Sequence, residues 1–250
     1  RGEIDIDKNN NIYIATCSRS ADFPIVGGAV QLTLDSLQEG VIIKMDNQLS
    51  NIIWSTFLGG RGADAIYSLA LDDDDNIYVT GGTTSDNFPT TANALHPNYL
   101  DSLRADAFVS YISNDGTQIF SSTYFGSNQY DQAYFVEIDG AKNVYLFGQT
   151  KASGNTLIHQ ANYNVSGGGE FISKLSKNLD VLLQSTVVGA NTGTPNISPS
   201  AFLVDVCNKI YIAGWGSNIG IGNAGTTFNL PITPNAFQSS TDGNDFYLMI

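Results

Sequence analysis

The phrase Asn-Ile-Tyr-Ile at residues 11–14 returns as NIYV (76–79), NVYL (143–146) and KIYI (209–212), at steps of 65, 67 and 66 residues. An aspartate stands at a matching place before each copy: Asp7, Asp72, Asp139 and Asp205. Two more phrases run in register. WSTFLGG (54–60), SSTYFGS (121–127) and QSTVVGA (184–190) form one, while VIIKM (41–45), DAFVSYI (106–112), GEFISKL (169–175) and NDFYLMI (244–250) form the other. A fixed period of this kind marks a repeat architecture, in which no unit buries its apolar surface without a neighbour.

Each unit divides into four short apolar runs. In the second they are AIYSLALD (65–72), NIYVTGGT (76–83), DAFVSYI (106–112) and QIFSSTYFG (118–126). Links such as DDDD (72–75) and SNDGTQ (113–118) carry the Asp, Asn and Gly that hairpin turns require. A longer loop, 84–105, joins the second run to the third. AYFVEID (133–139) and AFLVD (201–205) are almost continuously apolar, so both faces of their sheets must be covered. Four antiparallel strands per unit, stacked face to face, predict an all-β fold: a β-propeller of four-stranded blades. The blades fall at about 1–60, 61–127, 128–190 and 191–250, the last incomplete after its third strand. Closed propellers have roughly 4–8 blades; four would meet the lower limit, but with the last blade ragged the chain reads as part of a larger ring of seven or eight, cut from a longer protein.

Charge excludes some partners. Twenty Asp and four Glu against 11 Lys and Arg leave a formal net charge of −13, which repels nucleic-acid phosphates and anionic lipid headgroups. No apolar stretch reaches the length of a membrane span, so direct membrane insertion is not expected. Cys17 and Cys207 lie three blades apart, at opposite ends of their strands, and are expected to be separate, mostly buried thiols.

The string STFLGGRGADAIYSLALDDDDNIYVTGGTTSDNFPTTANAL resembles the SBBP repeat, a propeller-forming repeat of bacterial surface proteins. The third unit departs from it, with KASGNTLIH in place of the Phe-Pro loop. DVCNKIYIAGWGSN (205–218) is similar to large exported, gliding-motility-associated proteins of Bacteroidota. Those proteins join such repeats to PKD-type modules and a C-terminal type IX secretion signal. The resemblance implies a secreted or cell-surface protein of a Gram-negative bacterium, associated with the outer membrane. Its partners would be other surface or secretion-system proteins, or surface glycans.

Catalytic chemistry finds little support. His96 and His159 occupy a repeat position that holds Gln31 and Gln238 in the other units, which marks a structural slot. The four glutamates share no evident motif, so the paired carboxylates of a glycosidase are missing. Calcium is the metal to consider. DIDKNNN (5–11) and DDDDN (72–76) alternate carboxylates and amides, giving Asp5, Asp7, Asn9, Asp72 and Asp74 as candidate ligands. The third and fourth units do not keep that pattern, and no other cofactor is expected. Asp35-Ser36-Leu37 and Asp101-Ser102-Leu103 resemble the Asp-Ser/Thr-aliphatic sequon for O-glycosylation in Bacteroidota, which makes Ser36 and Ser102 candidate attachment sites. GSNIGIGNAG (216–225) is too poor a phosphate loop to suggest a nucleotide, since no helix follows it.

The expected function is therefore a non-catalytic scaffold for protein interaction or adhesion, linked to gliding motility or type IX secretion. Its contact loops would be 84–105 and 213–243, on one rim. The alternative is a lectin-like propeller with Tyr99, Trp215 or Phe228 as aromatic platforms. A polysaccharide-acting enzyme is the third reading.

Overall fold

The computed structural model describes residues 2–101, 103–217 and 225–250. Among them the regular structure is all strand. The first unit holds β1 (Glu3–Ile6), β2 (Ile12–Ser18), β3 (Glu39–Met45) and β4 (Ile52–Leu58). The second holds β5 (Asp64–Leu71), β6 (Ile77–Thr83), β7 (Asp106–Ile112) and β8 (Ile119–Phe125). The third holds β9 (Asp131–Ile138), β10 (Val144–Thr150), β11 (Glu170–Leu175) and β12 (Leu182–Val188). The fourth holds β13 (Ser198–Val204), β14 (Ile210–Trp215) and β15 (Phe246–Met249). Each unit is one antiparallel sheet with its strands in chain order, four strands in the first three and three in the last.

Turn chemistry sets the first hairpin of every sheet. In each, the residue before the Ile/Val-Tyr phrase's first position has a left-handed backbone: Asn10, Asp75, Lys142 and Asn208 all have φ between 60° and 65°. Asn and Asp tolerate that conformation best among residues with a side chain, and three of the four are Asn or Asp. The repeating aspartate holds the loop closed. Asp7 Oδ1 accepts from the Asn9 and Asn11 N–H groups, and Asp72, Asp139 and Asp205 do the same in their own turns.

Sheets pack face to face through their first strands. β1 lies against β5, β5 against β9 and β9 against β13, while β2, β6 and β10 each reach the first strand of the next sheet. Three cores result, one per junction. Tyr13, Ile42 and Trp54 meet Leu69, Val79 and Phe108 at the first junction; Tyr78, Val109 and Tyr111 meet Val136 and Leu146 at the second. At the third, Tyr145, Phe147 and Ile172 meet Phe202, Val204 and Ile212. Contacts concentrated on the innermost strands give a radial stack, the β-propeller arrangement expected from the repeat. Among the described residues the stack does not close on itself. Ile4 on the free face of the first sheet is 64% exposed, whereas Leu69, its equivalent in the second, is 4% exposed.

Candidate functional site

At the hairpin rim the repeating aspartates are fully engaged. Asp7 Oδ2 accepts from Asn11 Nδ2 at 2.8 Å and pairs with Lys44 Nζ at 3.1 Å. Asp139 meets Lys174 Nζ at 2.9 Å, and Asp72 accepts from the Tyr111 hydroxyl at 2.6 Å. Lys44, Tyr111 and Lys174 are equivalent third-strand positions, and each lies on the tyrosine of the repeat phrase (Tyr13, Tyr78, Tyr145). Burial works to raise the Asp139 carboxyl, but hydrogen bonds from Asn143 and Lys174 outweigh it and hold it down to about 2. Asp7 and Asp72 shift downward for the same reasons.

The other calcium candidates lie apart from these oxygens. Asp5 Oδ1 accepts from the Ile6 N–H, Asn9 is exposed, and Asp74 faces Lys142 of the next sheet at 3.8 Å. Among the described residues no three His, Cys, Asp or Glu side chains are grouped to hold a metal ion. Both cysteines are free. Cys17 is half-buried, but Cys207 is exposed, because it sits at the tip of its turn and not within a sheet.

The opposite rim carries the loops that join second strands to third strands. They lie over the fourth strands and are pinned there. Gln31 N–H donates to Thr56 Oγ1 at 3.0 Å and the Gln31 carbonyl accepts from Phe57 at 3.2 Å. His96 makes the same two bonds to Thr123 and Tyr124, but His159 exchanges backbone bonds with Ser185, as Val26 and Thr91 pair with the equivalent Ser55 and Ser122, so it does not hold the Gln31 place that the repeat predicted for it. The Gln31/His96 position is thus a docking point for backbone, and among the described residues no acid or base pairs with either imidazole. Ser36 Oγ donates to the Gln38 carbonyl; Ser102 lies outside the described residues. Beside them, Leu37 and Leu103 are 88% and 84% exposed.

The aromatic candidates are not brought together. Tyr99 packs on Tyr124 with its hydroxyl donating to the Arg104 carbonyl, inside the second unit. Trp215 is in β14 and not in the loop, paired with Ser198 and Phe246. Phe228 is exposed in the fourth unit. The region 213–243 therefore begins as strand, and residues 218–224 of it lie outside the described residues.

Between neighbouring blades the structure reveals what the sequence reading overlooked: buried acids at every junction. Glu39 and Asp64 meet at the first, Asp106 and Asp131 at the second, and Glu170 with Asn196 at the third. All are 2% exposed or less. The member at or just before the first strand ties down the incoming loop. Asp64 accepts from Gly60 N–H and Ser85 Oγ at 2.8 Å each, Asp131 accepts from Ser127 N–H at 2.6 Å, and Asn196 Oδ1 accepts from Ala190 N–H at 2.9 Å. The third-strand member holds loop amides. Glu39 accepts from Asp35 N–H at 2.7 Å, Asp106 from Leu100 N–H at 2.6 Å, and Glu170 from both Asn196 and Ile197 N–H. Burial, and in the first two pairs the charge of the partner acid, push Glu39 and Asp106 up to about 7. Burial alone pushes Glu170 up to about 8. These acids are joints that take loop backbone on one carboxylate oxygen, while Asp106 Oδ1 and Asp131 Oδ1 are buried without a hydrogen-bond partner.

Along β15 and the 231–238 loop runs a groove of about 500 Å³, lined by Ile232, Phe237, Gln238, Phe246, Leu248 and Ile250 among others.

A family model described as a beta-propeller repeat, SBBP, matches residues 53–89, from β4 through β5 and β6 to Phe88-Pro89 early in the following loop. No curated protein matches the chain.

Proposed function

We propose that the chain is a non-catalytic interaction scaffold, exported to the surface of a Gram-negative bacterium and held at its outer membrane. Its partners would be other surface or secretion-system proteins. The observation that carries this reading is the pair Leu37 and Leu103. They stand at equivalent points of two blades on the loop rim, almost fully exposed, on loops anchored by buried carboxylates. Apolar side chains held out on a rigid frame suit contact with another macromolecule. The similarity of DVCNKIYIAGWGSN to gliding-motility-associated exported proteins supports the surface placement and a part in gliding or type IX secretion. Ser36 and Ser102 beside those leucines are proposed as glycan attachment points; an unmodified intact mass for natively exported protein rejects that addition.

The test uses intact cells. Surface labelling should reach the protein, and Leu37→Ser with Leu103→Ser should weaken attachment or gliding while leaving the melting temperature unchanged. A protein shielded from label on intact cells, or polysaccharide turnover by the purified chain, contradicts the reading.

A further inference from the structure

The first and second junctions solve one packing problem in two ways, and the second way leaves a cleft. Hairpins 113–118 and 176–181 close with the same two backbone bonds, so Gly116 and Leu179 are equivalent, both left-handed with φ of 72° and 60°. Trp54 and Ser121 open the same fourth-strand phrase. At the first junction the Trp54 ring lies over Gly116, where a Cβ would stand 2.6 Å from it, and its Nε1 donates to the Asn114 carbonyl at 2.9 Å. Gly27 and Gly28 let the second-to-third-strand loop settle on Trp54 and the hairpin. A Cβ at Gly27 would be 3.1 Å from Trp54 Cβ, and one at Gly28 would be 2.4 Å from Thr117 Cγ2. Loop, strand and hairpin are shut together.

At the second junction Leu179 joins the core from the hairpin side, and the Lys177 carbonyl, equivalent to that of Asn114, accepts from the Tyr78 hydroxyl at 3.0 Å. Ser121 is 8% exposed, yet its hydroxyl has no hydrogen-bond partner. Ala92 and Asn93 stand where the first unit has Gly27 and Gly28, and Asp180 stands where Thr117 does. Between loop and hairpin lies a cleft of about 260 Å³, lined by Thr91, Asn93, Phe120, Ser121, Asn178 and Asp180 among others. The two sheets around it both have four strands. Phe120 is exposed and braced by Tyr111, their ring centroids 5.1 Å apart. Ser176 Oγ donates to Asp180 Oδ1 at 2.6 Å, which fixes the carboxylate, while Thr91 is engaged with the Ser122 backbone.

That lining sets the ligand chemistry. Amides and the hydroxyl both donate and accept, and the carboxylate only accepts, so the occupant needs several hydroxyl groups. The Phe120 ring needs an apolar face laid on it. A carboxylate in the lining and the net charge of −13 disfavour an anion. The volume falls just below the roughly 300–1,000 Å³ of sites for drug-sized ligands, which limits the occupant to a single ring. We propose that this cleft binds one neutral hexopyranose ring. The C–H face of the sugar would lie on Phe120, and its hydroxyls would meet Ser121 Oγ, the Asn93 and Asn178 amides and Asp180.

The probes are the methyl glycosides of glucose, galactose and mannose, each titrated into the whole isotope-labelled chain and followed by amide chemical shifts. At least one should saturate with a Kd on the order of 1 mM, the scale of a single-ring ligand, and move only the amides around 91–93, 120–121 and 178–180. Ser121→Ala should weaken that binding about three- to tenfold, the worth of one net hydrogen bond. Its melting temperature should be unchanged or higher, because the free protein has no partner for that hydroxyl to lose. Phe120→Leu, which keeps an apolar side chain but no ring, should weaken binding to a similar degree. No saturation by any of the glycosides up to about 50 mM, far beyond that scale, overturns the proposal. So do shifts centred elsewhere on the chain, or an affinity unchanged by Ser121→Ala. Glucuronate bound as tightly as the neutral glycosides also overturns it, since Asp180 would then not line the site.

Discussion

The second and fourth sheets are written in the same grammar and end in opposite environments. Val109 and Leu248 hold the same register, opposite Thr80 and Ala213 of the equivalent second strands. Val109 is 0% exposed and Leu248 is 67% exposed. Tyr78 is likewise buried in a junction core, while its equivalent Tyr211 is only half-buried. Strand formation is common to both, so alternation and turn chemistry suffice for it. Burial is not carried by the strand at all. It is supplied by the neighbouring sheet, and among the described residues the fourth sheet has one covered face where the second has two.

The largest predicted effect sets these two positions against each other. Val109→Asp places an unpaired charge in the junction core and should cost on the order of 3–5 kcal/mol, read as a lost or sharply lowered denaturation midpoint. Leu248→Asp should stay within about 0.5 kcal/mol. Equal losses would break the comparison.

The next contrast uses glycines at equivalent places of β6 and β14. A Cβ at Gly81 would stand 1.8 Å from the Ala65 carbonyl oxygen, backbone that cannot step aside; at Gly214 the nearest atom is the Ile197 Cδ1, 2.7 Å away. Gly81→Ala should destabilise by roughly 1–3 kcal/mol or more, and Gly214→Ala by clearly less, in parallel urea titrations.

Titration gives a third prediction, with signs that oppose. Glu39, Asp106 and Glu170 have folded-state values raised to about 7, 7 and 8. The fold binds their protons more tightly than the open chain does. Stability from these groups is complete below the unfolded carboxyl range and is lost as pH rises towards 8. Asp139, held down to about 2, works the other way and loses its contribution as pH falls from about 4 towards 2. Stability measured between pH 5 and 8.5 should therefore decline, and Glu170→Gln should flatten the decline, because the amide oxygen still accepts from Asn196 and Ile197 without ionising. Asn196 shows that this junction already accepts an amide where the others hold a second acid. A profile that rises over that window contradicts the assignment.

The smallest effect is at the surface. Arg61 and Asp86 make a bidentate pair near 2.7–2.8 Å, both well exposed. Arg61→Ala should cost less than about 1 kcal/mol, and any loss should shrink in high salt.

Much of the fold was legible because the repeat exposes its own alignment. The four runs of the second unit correspond to β5–β8 to within a residue or so at each end. The Asp7, Asp72, Asp139 and Asp205 turns were legible as turns, since Asp, Asn and a left-handed residue recur together. The junction acids were hidden for a physical reason. A carboxylate beside a loop looks like surface in sequence, and its burial depends on amides arriving from a distant stretch. A signal was present nonetheless: Glu39, Asp106, Glu170 and Asp245 all stand at or next to the start of a third strand. Two of the four glutamates, Glu39 and Glu170, thus share a place with Asp106 and Asp245, disguised by exchange of Glu for Asp and a one-residue shift at Glu170. Cys207 misled in the same way, since apolar character alone does not bury a residue at a turn tip.

Amide hydrogen exchange, resolved by residue, tests most directly whether neighbouring sheets supply the burial. Amides of β6, β7 and β10 should exchange only through global opening, while those of β15 exchange about tenfold faster or more. Uniform protection across all four sheets would contradict the account, because strand sequence alone would then be setting stability.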